Sequence, residues 1–370
     1  MTTMAVYGED VPSTMGGVVC YGPGDYRHED GITVPAPGPG EVLLKVSAIG
    51  ICAGDAKCFA GAPRFWGDGR KTPRYVEPPV RPGHEFVGNV VALGEGAGEK
   101  HGISLGDQVT SEQICPCDVC RYCERGAYQM CIPHDVYGFH QCTQGAMADY
   151  VLLPARARNH KIDKSVPPEH AVYTEPLACS LHGVELGAVQ FSDIVVVSGC
   201  GPIGLGMVGG VRQKSPKLLI ALDLYDWKLE VAKKCGADVV LNPSKCDVVK
   251  EVMRLSGGYG CDVYIEATGH PNSVVQGLDM IARMGRFVEF SVFGKETTAD
   301  WSIIGDCKEL TIVGGHLSPR TFPKAISMIE KKQIPVEEIV THRLPLSRVV
   351  EGIEMVNKSS ESIKVILLPD

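Results

Sequence analysis

Two textures of hydrophobic and polar positions divide the chain. Up to about residue 170, short runs alternate apolar and polar positions between turn residues, as in Glu41-Val-Leu-Leu-Lys-Val46 and Phe86-Val-Gly-Asn-Val-Val-Ala92. That period of two predicts strands of an irregular, mostly antiparallel domain. From Asp193 the pattern changes. Strand candidates at 194–198, 217–222, 238–241, 261–266 and 286–292 are separated by stretches of helical length, the alternation expected of βαβ units and a parallel sheet. The pattern ends near 309–313, and 324–332 and 347–357 have the look of helices. The texture alone puts a domain boundary near 176.

Composition narrows the class. At about 150 residues per domain, 370 residues make roughly two domains. A chain with 44% hydrophobic and 22% charged residues is no disordered tail. Its formal charge of −8 offers nucleic acid no bulk electrostatic footprint. Ile194–Val211 is 18 consecutive uncharged residues, the length at which a membrane span must be considered. Six glycines and Pro202 interrupt it, and Ile194-Val-Val-Val197 before a Gly-x-Gly fits a buried strand turning into a helix. Glu9, Asp10 and Pro12 break up any apolar stretch near Met1, so no signal peptide and a cytoplasmic location are expected.

That turn is Gly199-Cys-Gly201-Pro-Ile-Gly204. Gly199 permits the tight bend, Gly201 lets backbone approach a pyrophosphate, and Gly204 lets the helix from Pro202 pack closely on its strand. Free N–H groups at the helix start favour phosphate. The next strand ends at Asp223, 19 residues after Gly204, where an acid accepts hydrogen bonds from ribose hydroxyls and repels a 2′-phosphate. NAD is the expected cofactor, with Pro202, Ile203 and Lys228 completing its binding set.

Five of fifteen cysteines fall between Cys115 and Cys131. In Cys117-x2-Cys120-x2-Cys123-x7-Cys131, four thiolates at close spacing suit a closed tetrahedral zinc site. An iron–sulfur cluster is the rival, but the bacterial ferredoxin run closes with x3 and Cys-Pro, so zinc is favoured. Cys20, Cys58, Cys142, Cys200, Cys235, Cys246, Cys261 and Cys307 are expected to be small buried hydrophobes.

Three further pieces are dispersed: Gly50-Ile-Cys52, Pro82-Gly-His84-Glu85 and Glu175-Pro176. Together with the glycine turn, Asp223 and the cysteine cluster, they resemble the zinc-dependent medium-chain alcohol and polyol dehydrogenases, along the whole chain. The resemblance implies an α/β protein with a GroES-like, mostly-β catalytic domain over 1–176, bearing a zinc lobe at about 115–131. A Rossmann domain with a doubly wound parallel sheet follows over 177–315, and 316–370 returns to the catalytic domain. It also implies two zinc ions per chain, one structural and one catalytic. Cys52 and His84 would be catalytic ligands, completed by Glu85 or Glu175, with Glu175 at a helix N-cap. Asp55 would hold the His84 ring through its other nitrogen.

The Glu175-Pro-Leu177 wording is that of the sorbitol and threonine dehydrogenase branch, and residues 52–61 most resemble the four-carbon polyol enzymes. The implied reaction moves hydride from a secondary hydroxyl of a small polyol, erythritol or threitol, to NAD, leaving a ketotetrose. The alternatives are a threonine or other secondary-alcohol dehydrogenase, and a zinc- and NAD-binding sensor without turnover. A homotetramer or homodimer without nucleic-acid or membrane partners is implied.

Two departures stand out. Cys52-Ala53-Gly54-Asp55-Ala56-Lys57 lacks the hydroxyl and the histidine that the family uses to pass the substrate proton onward. Glu175, then Glu85, are the expected substitutes, with Lys57 a weaker one. The 32 residues from Cys52 to His84 also leave room for an extra loop carrying Arg64, Trp66, Asp68, Arg70, Lys71 and Arg74, either a solvated excursion or a polar lid over the substrate.

Overall fold

The computed structural model describes residues 5–370; the first four residues of the expected first domain lie outside these. The chain divides into two compact units. One holds the chain through Glu175 with Ile329–Lys331 and Val340–Asp370, the other Pro176–Met328 with Lys332–Ile339.

The first unit is built on an eight-stranded sheet. Its main path runs Val340–Pro345, Lys364–Leu368, Val42–Gly50, Glu85–Leu93, Gln108–Ser111, Asn159–Ile162. Val6–Tyr7 pairs with Glu85–Leu93, and Tyr150–Leu153 with Val42–Gly50. Neighbours are antiparallel except the last two strands in sequence, which run parallel. Val42, Leu43, Leu44, Val46, Ala48 and Ile49 are buried, which makes Val42–Gly50 the central strand. At its end Gly50 lies opposite Glu85 on one side and Ile366 on the other.

The second unit holds a six-stranded parallel sheet in the order Val239–Leu241, Leu218–Leu222, Ile194–Ser198, Cys261–Glu266, Ile281–Glu289, Thr311–Gly314. Its first strand lies in the middle, so strand order reverses between Ile194–Ser198 and Cys261–Glu266. Ligands bind outside the carboxyl ends of strands at such a switch point. The long uncharged segment is accounted for: Ile194–Ser198 is a buried strand and Pro202–Arg212 a helix. Among the described residues no helix is long and apolar enough to cross a membrane.

Two elements differ from the sequence reading. The fifth parallel strand begins at Ile281, before 286, because a bulge opposite Cys261–Val263 lets Ile281 pair early while Met284 takes a positive φ of 60°. Residues 316–328 stay with the second unit. Phe322 and Ala325 of the helix Phe322–Glu330 are buried, and Thr321 Oγ1 donates to the Ala178 carbonyl at 2.8 Å.

Candidate active site and metal centres

Gly50-Ile51-Cys52 leaves the central strand and turns into the short helix Ala53–Phe59 with Cys52 at its N-cap. The Cys52 thiol accepts the Gly54 N–H at 3.3 Å, and Asp55 Oδ2 accepts the Cys52 N–H at 2.9 Å. This is a reciprocal capping box in which sulfur replaces the usual hydroxyl. His84 and Glu85 arrive from the start of the neighbouring strand. One ligand atom each of Cys52, His84 and Glu85 lies within 4.8 Å of the others.

Burial raises the pKa of Cys52 and of Asp55. Burial also works against a charged His84, but Asp55, Cys52 and Glu175 outweigh it and hold the imidazole well above its usual value. Acidic donors thus crowd one ring. His84 Nδ1 is buried without a hydrogen-bond partner, and Asp55 Oδ1 stands 3.6 Å from it. A thiolate, an imidazole and a carboxylate at this spacing suit a zinc site with an open fourth position. The donor set and the shortage of positive charge fit the metal.

The buried cation nearby is Lys364, from the last strand of the chain. Its ammonium pairs with the Glu85 carboxylate and donates to the Ile51 carbonyl at 2.8 Å. Glu175 falls in the first turn of the helix Thr174–Leu186, not at its N-cap, since the helix starts one residue before it. Its carboxylate is buried and accepts Gln113 Nε2–H at 2.7 Å. Glu85, not Glu175, therefore belongs to the close donor group, while Glu175 acts on His84 from beside it.

The four clustered cysteines do converge: ligand atoms of Cys117, Cys120, Cys123 and Cys131 all lie within 4.8 Å of one another. Cys120 Sγ is 3.5 Å from Cys123 Sγ, and Cys131 Sγ accepts the Cys117 N–H at 3.2 Å. Backbone N–H groups of Cys123 and Ile132 pull the Cys120 thiol down to about 6, toward the thiolate that a metal needs. A further group, Asp135, His140 and Cys142, is explained without metal: Asp135 bonds His140 at 2.8 Å and Arg156 at 2.5 Å. Of the scattered cysteines, Cys20, Cys58, Cys200, Cys235 and Cys261 are buried as expected. Cys246 is half-buried, packed on the edge of the second unit's core, and Cys142 and Cys307, on loops, are exposed.

In the second unit Gly199 has φ +101°, and a side chain at Gly204 would overlap the Gly199 carbonyl. Nothing lies within 4 Å of where a side chain at Gly201 would begin. The turn is tight where strand meets helix and open where a pyrophosphate would lie. Pro202 is the first residue of the helix and Ile203 the next. Asp223, just past the strand Leu218–Leu222, puts one oxygen on this turn and one on its own loop: Oδ2 accepts the Cys200 N–H at 2.8 Å and Oδ1 the Tyr225 N–H at 2.9 Å. Lys228 is buried, its ammonium 5.4 Å from the Tyr225 ring centroid and 5.5 Å from that of Trp227. Desolvation lowers its pKa and Asp223 raises it. These residues fit a dinucleotide.

Residues 38–164 match the family model of the alcohol dehydrogenase GroES-like domain, and 202–331 that of the zinc-binding dehydrogenase. The erythritol/L-threitol dehydrogenase of Mycolicibacterium smegmatis is 52% identical over 97% of this chain and 99% of its own. The chain belongs to the zinc-binding alcohol dehydrogenases. An L-threonine 3-dehydrogenase of Pyrococcus horikoshii is 34% identical over 84% of this chain and 86% of its own. Among solved structures, the 2R,3R-butanediol dehydrogenase of Bacillus subtilis superposes with a TM-score of 0.84 at 26% identity, covering 96% of this chain and all of that one. As a member of this family the dehydrogenase is an oxidoreductase that uses zinc and a nicotinamide dinucleotide. Lys364 and Gln113 escaped the motif reading of this dehydrogenase. A lone lysine opening the run Lys364-Val-Ile-Leu-Leu368 was the only local signal for the first, and Gln113 gave none.

Proposed function

We propose that this dehydrogenase oxidises a secondary hydroxyl of a small polyol, in first place erythritol or threitol, with NAD as the oxidant. The observation that carries the substrate class is the 52% identity, over nearly the whole of both chains, to an erythritol/L-threitol dehydrogenase. In this reading Cys52, His84 and Glu85 hold the catalytic zinc and Cys117, Cys120, Cys123 and Cys131 the structural one. Gly199, Gly201, Pro202, Ile203, Gly204, Asp223 and Lys228 hold the dinucleotide. Zinc, when bound, supplies Lewis acidity that makes the alkoxide accessible near neutral pH. NAD held by the glycine turn, Asp223 and Lys228 would supply the hydride acceptor, and the hydroxyl proton would leave to a base of the chain, so that a ketone and NADH result.

The residues divide the remaining work. Asp55 stands beside His84 Nδ1 and orients the ring. Glu85 is positioned by Lys364, and Glu175 by Gln113. With no hydroxyl at residue 54, we assign the proton to Glu175, whose carboxylate already acts on His84. Lys57 is the competing base, since burial lowers its pKa while Cys52 raises it. Fifteen cysteines outside disulfides, five of them zinc ligands in this reading, suit a reducing cytoplasm, and a homodimer or homotetramer belongs to the same reading.

The test is NADH formation across sugar alcohols of three to six carbons, with threonine and simple alcohols alongside. A four-carbon polyol should give the highest kcat/KM. A higher value for threonine overturns the substrate class in favour of amino-alcohol oxidation.

A further inference from the structure

The extra loop carries its charges at the surface. Arg64, Asp68, Arg70, Lys71 and Arg74 are exposed. Asp68 Oδ1 accepts the backbone N–H groups of Arg70 and Lys71 at 2.8 Å and of Thr72 at 2.9 Å, so the loop closes on itself. Arg74 lies over the Trp66 ring and donates to the Val76 carbonyl. The residue that turns toward the donor group is Phe65. Its carbonyl accepts the Tyr75 and Val76 N–H groups at 2.9 and 3.1 Å, which fixes its position.

The Phe65 ring stacks on Phe139 at 5.4 Å between centroids and 19° between planes. Phe139 is buried, and its ring lies 5.8 Å from that of His84. At the other end, Phe65 Cζ is 3.9 Å and Cys52 Sγ 3.5 Å from the point where a side chain at Gly54 would begin. The two rings therefore run from beside Cys52 to beside His84, an apolar wall along one side of the donor group.

We propose that Phe65, backed by Phe139, is a specificity-determining residue that limits the length of the polyol. The inference rests on the polyol reading above and deepens it. Every carbon of a polyol carries a hydroxyl. One pushed against a phenyl ring gives up its water and gains no partner, a loss that only a polar wall could offset. The wall thus penalises chains long enough to press a hydroxyl against it, five and six carbons relative to four.

The experiment measures kcat/KM for erythritol and threitol, xylitol and ribitol, and sorbitol and mannitol. It uses the zinc-loaded wild type, Phe65→Ala and Phe65→Leu, with zinc content and NADH binding checked in each. Removing the ring should shift the preference for four over six carbons by about tenfold or more in Phe65→Ala and by less in Phe65→Leu, since pocket contacts of this size discriminate by about 10- to 200-fold. The gain should come mainly as a lower KM for the longer chains. A purely structural role lowers all substrates together and leaves the ratio alone. A ratio that moves by less than about twofold while four-carbon turnover persists overturns the wall and leaves the polyol reading intact. If Phe65→Ala does not fold, Phe65→Leu is judged by the same ratio. A wild type inactive on four-carbon polyols overturns the polyol reading, and this inference with it.

Discussion

Gly50 carries no donor atom, yet the candidate site depends on what it lacks. A side chain there would overlap Glu85 Oε2 and press on Lys364 Cε at 2.9 Å. The ion pair occupies the room that any other residue would take. Gly50→Ala should displace the Glu85 carboxylate, and a misplacement of about 1 Å can cost on the order of 10²-fold in rate. Turnover should fall by that order while NADH binding and the zinc of the cysteine lobe persist. Kinetics together with metal analysis check this, and unchanged turnover would remove Glu85 from the site. At Gly54 the neighbours lie no closer than 3.5 Å, so the missing hydroxyl of the family is not excluded by crowding. Cys52 and His84 were legible because each sits in a contiguous motif. Lys364 was not, because only the pairing of strands far apart in sequence brings it to Ile51 and Glu85.

Two short elements present sulfur in different ways. The lobe around Arg121–Glu124 has little structure of its own beyond one turn of helix and a 3₁₀ turn, Tyr128–Met130. It has few apolar side chains with which to fold, so metal-binding energy there is folding energy. Cys52 stands at the end of a well-buried strand that needs no metal. Cys120→Ser should therefore cost folding or assembly, whereas Cys52→Ser should leave a folded, NADH-binding protein with nearly all turnover lost. Thermal melts, NADH titration and zinc content separate the two. Equal loss of stability in both would erase the distinction between structural and catalytic sites. The spacing of the cysteines carried this contrast in the sequence. The loop after Cys52 did not carry its own: its charged composition left a solvated excursion and a polar lid both open, and Asp68 Oδ1 caps the loop's own backbone while Phe65 turns inward. Composition records which residues a loop holds and is silent on which one its backbone turns inward.

At the scale of the molecule, the first unit is discontinuous in sequence and the second is nearly continuous. The central strands of the parallel sheet were readable because strands buried on both faces are unbroken apolar runs, whereas the edge strand Thr311–Gly314, mostly exposed, was not. The mixed sheet was not, because its order joins the strand at 42–50 to one beginning at 364. Removing one partner of a buried ion pair costs about 3–5 kcal/mol, so Lys364→Met should lower the stability of the first unit by that order. NADH binding by the second unit should survive. Calorimetry with NADH titration checks both, and a melt no different from wild type would show Glu85 to be compensated without the lysine.

The same strand sets the order in which the protein comes alive. Glu85 is made 279 residues before Lys364, an interval of about 14 to 56 s at ordinary rates of synthesis. Over that time the whole second unit, through Ile339, is synthesised, while the carboxylate, the thiol and the imidazole wait without their cation. The residues of the glycine turn and Asp223 are thus all made before the donor group receives its lysine. A chain stopped just before Lys364 should take up NADH and do nothing with it.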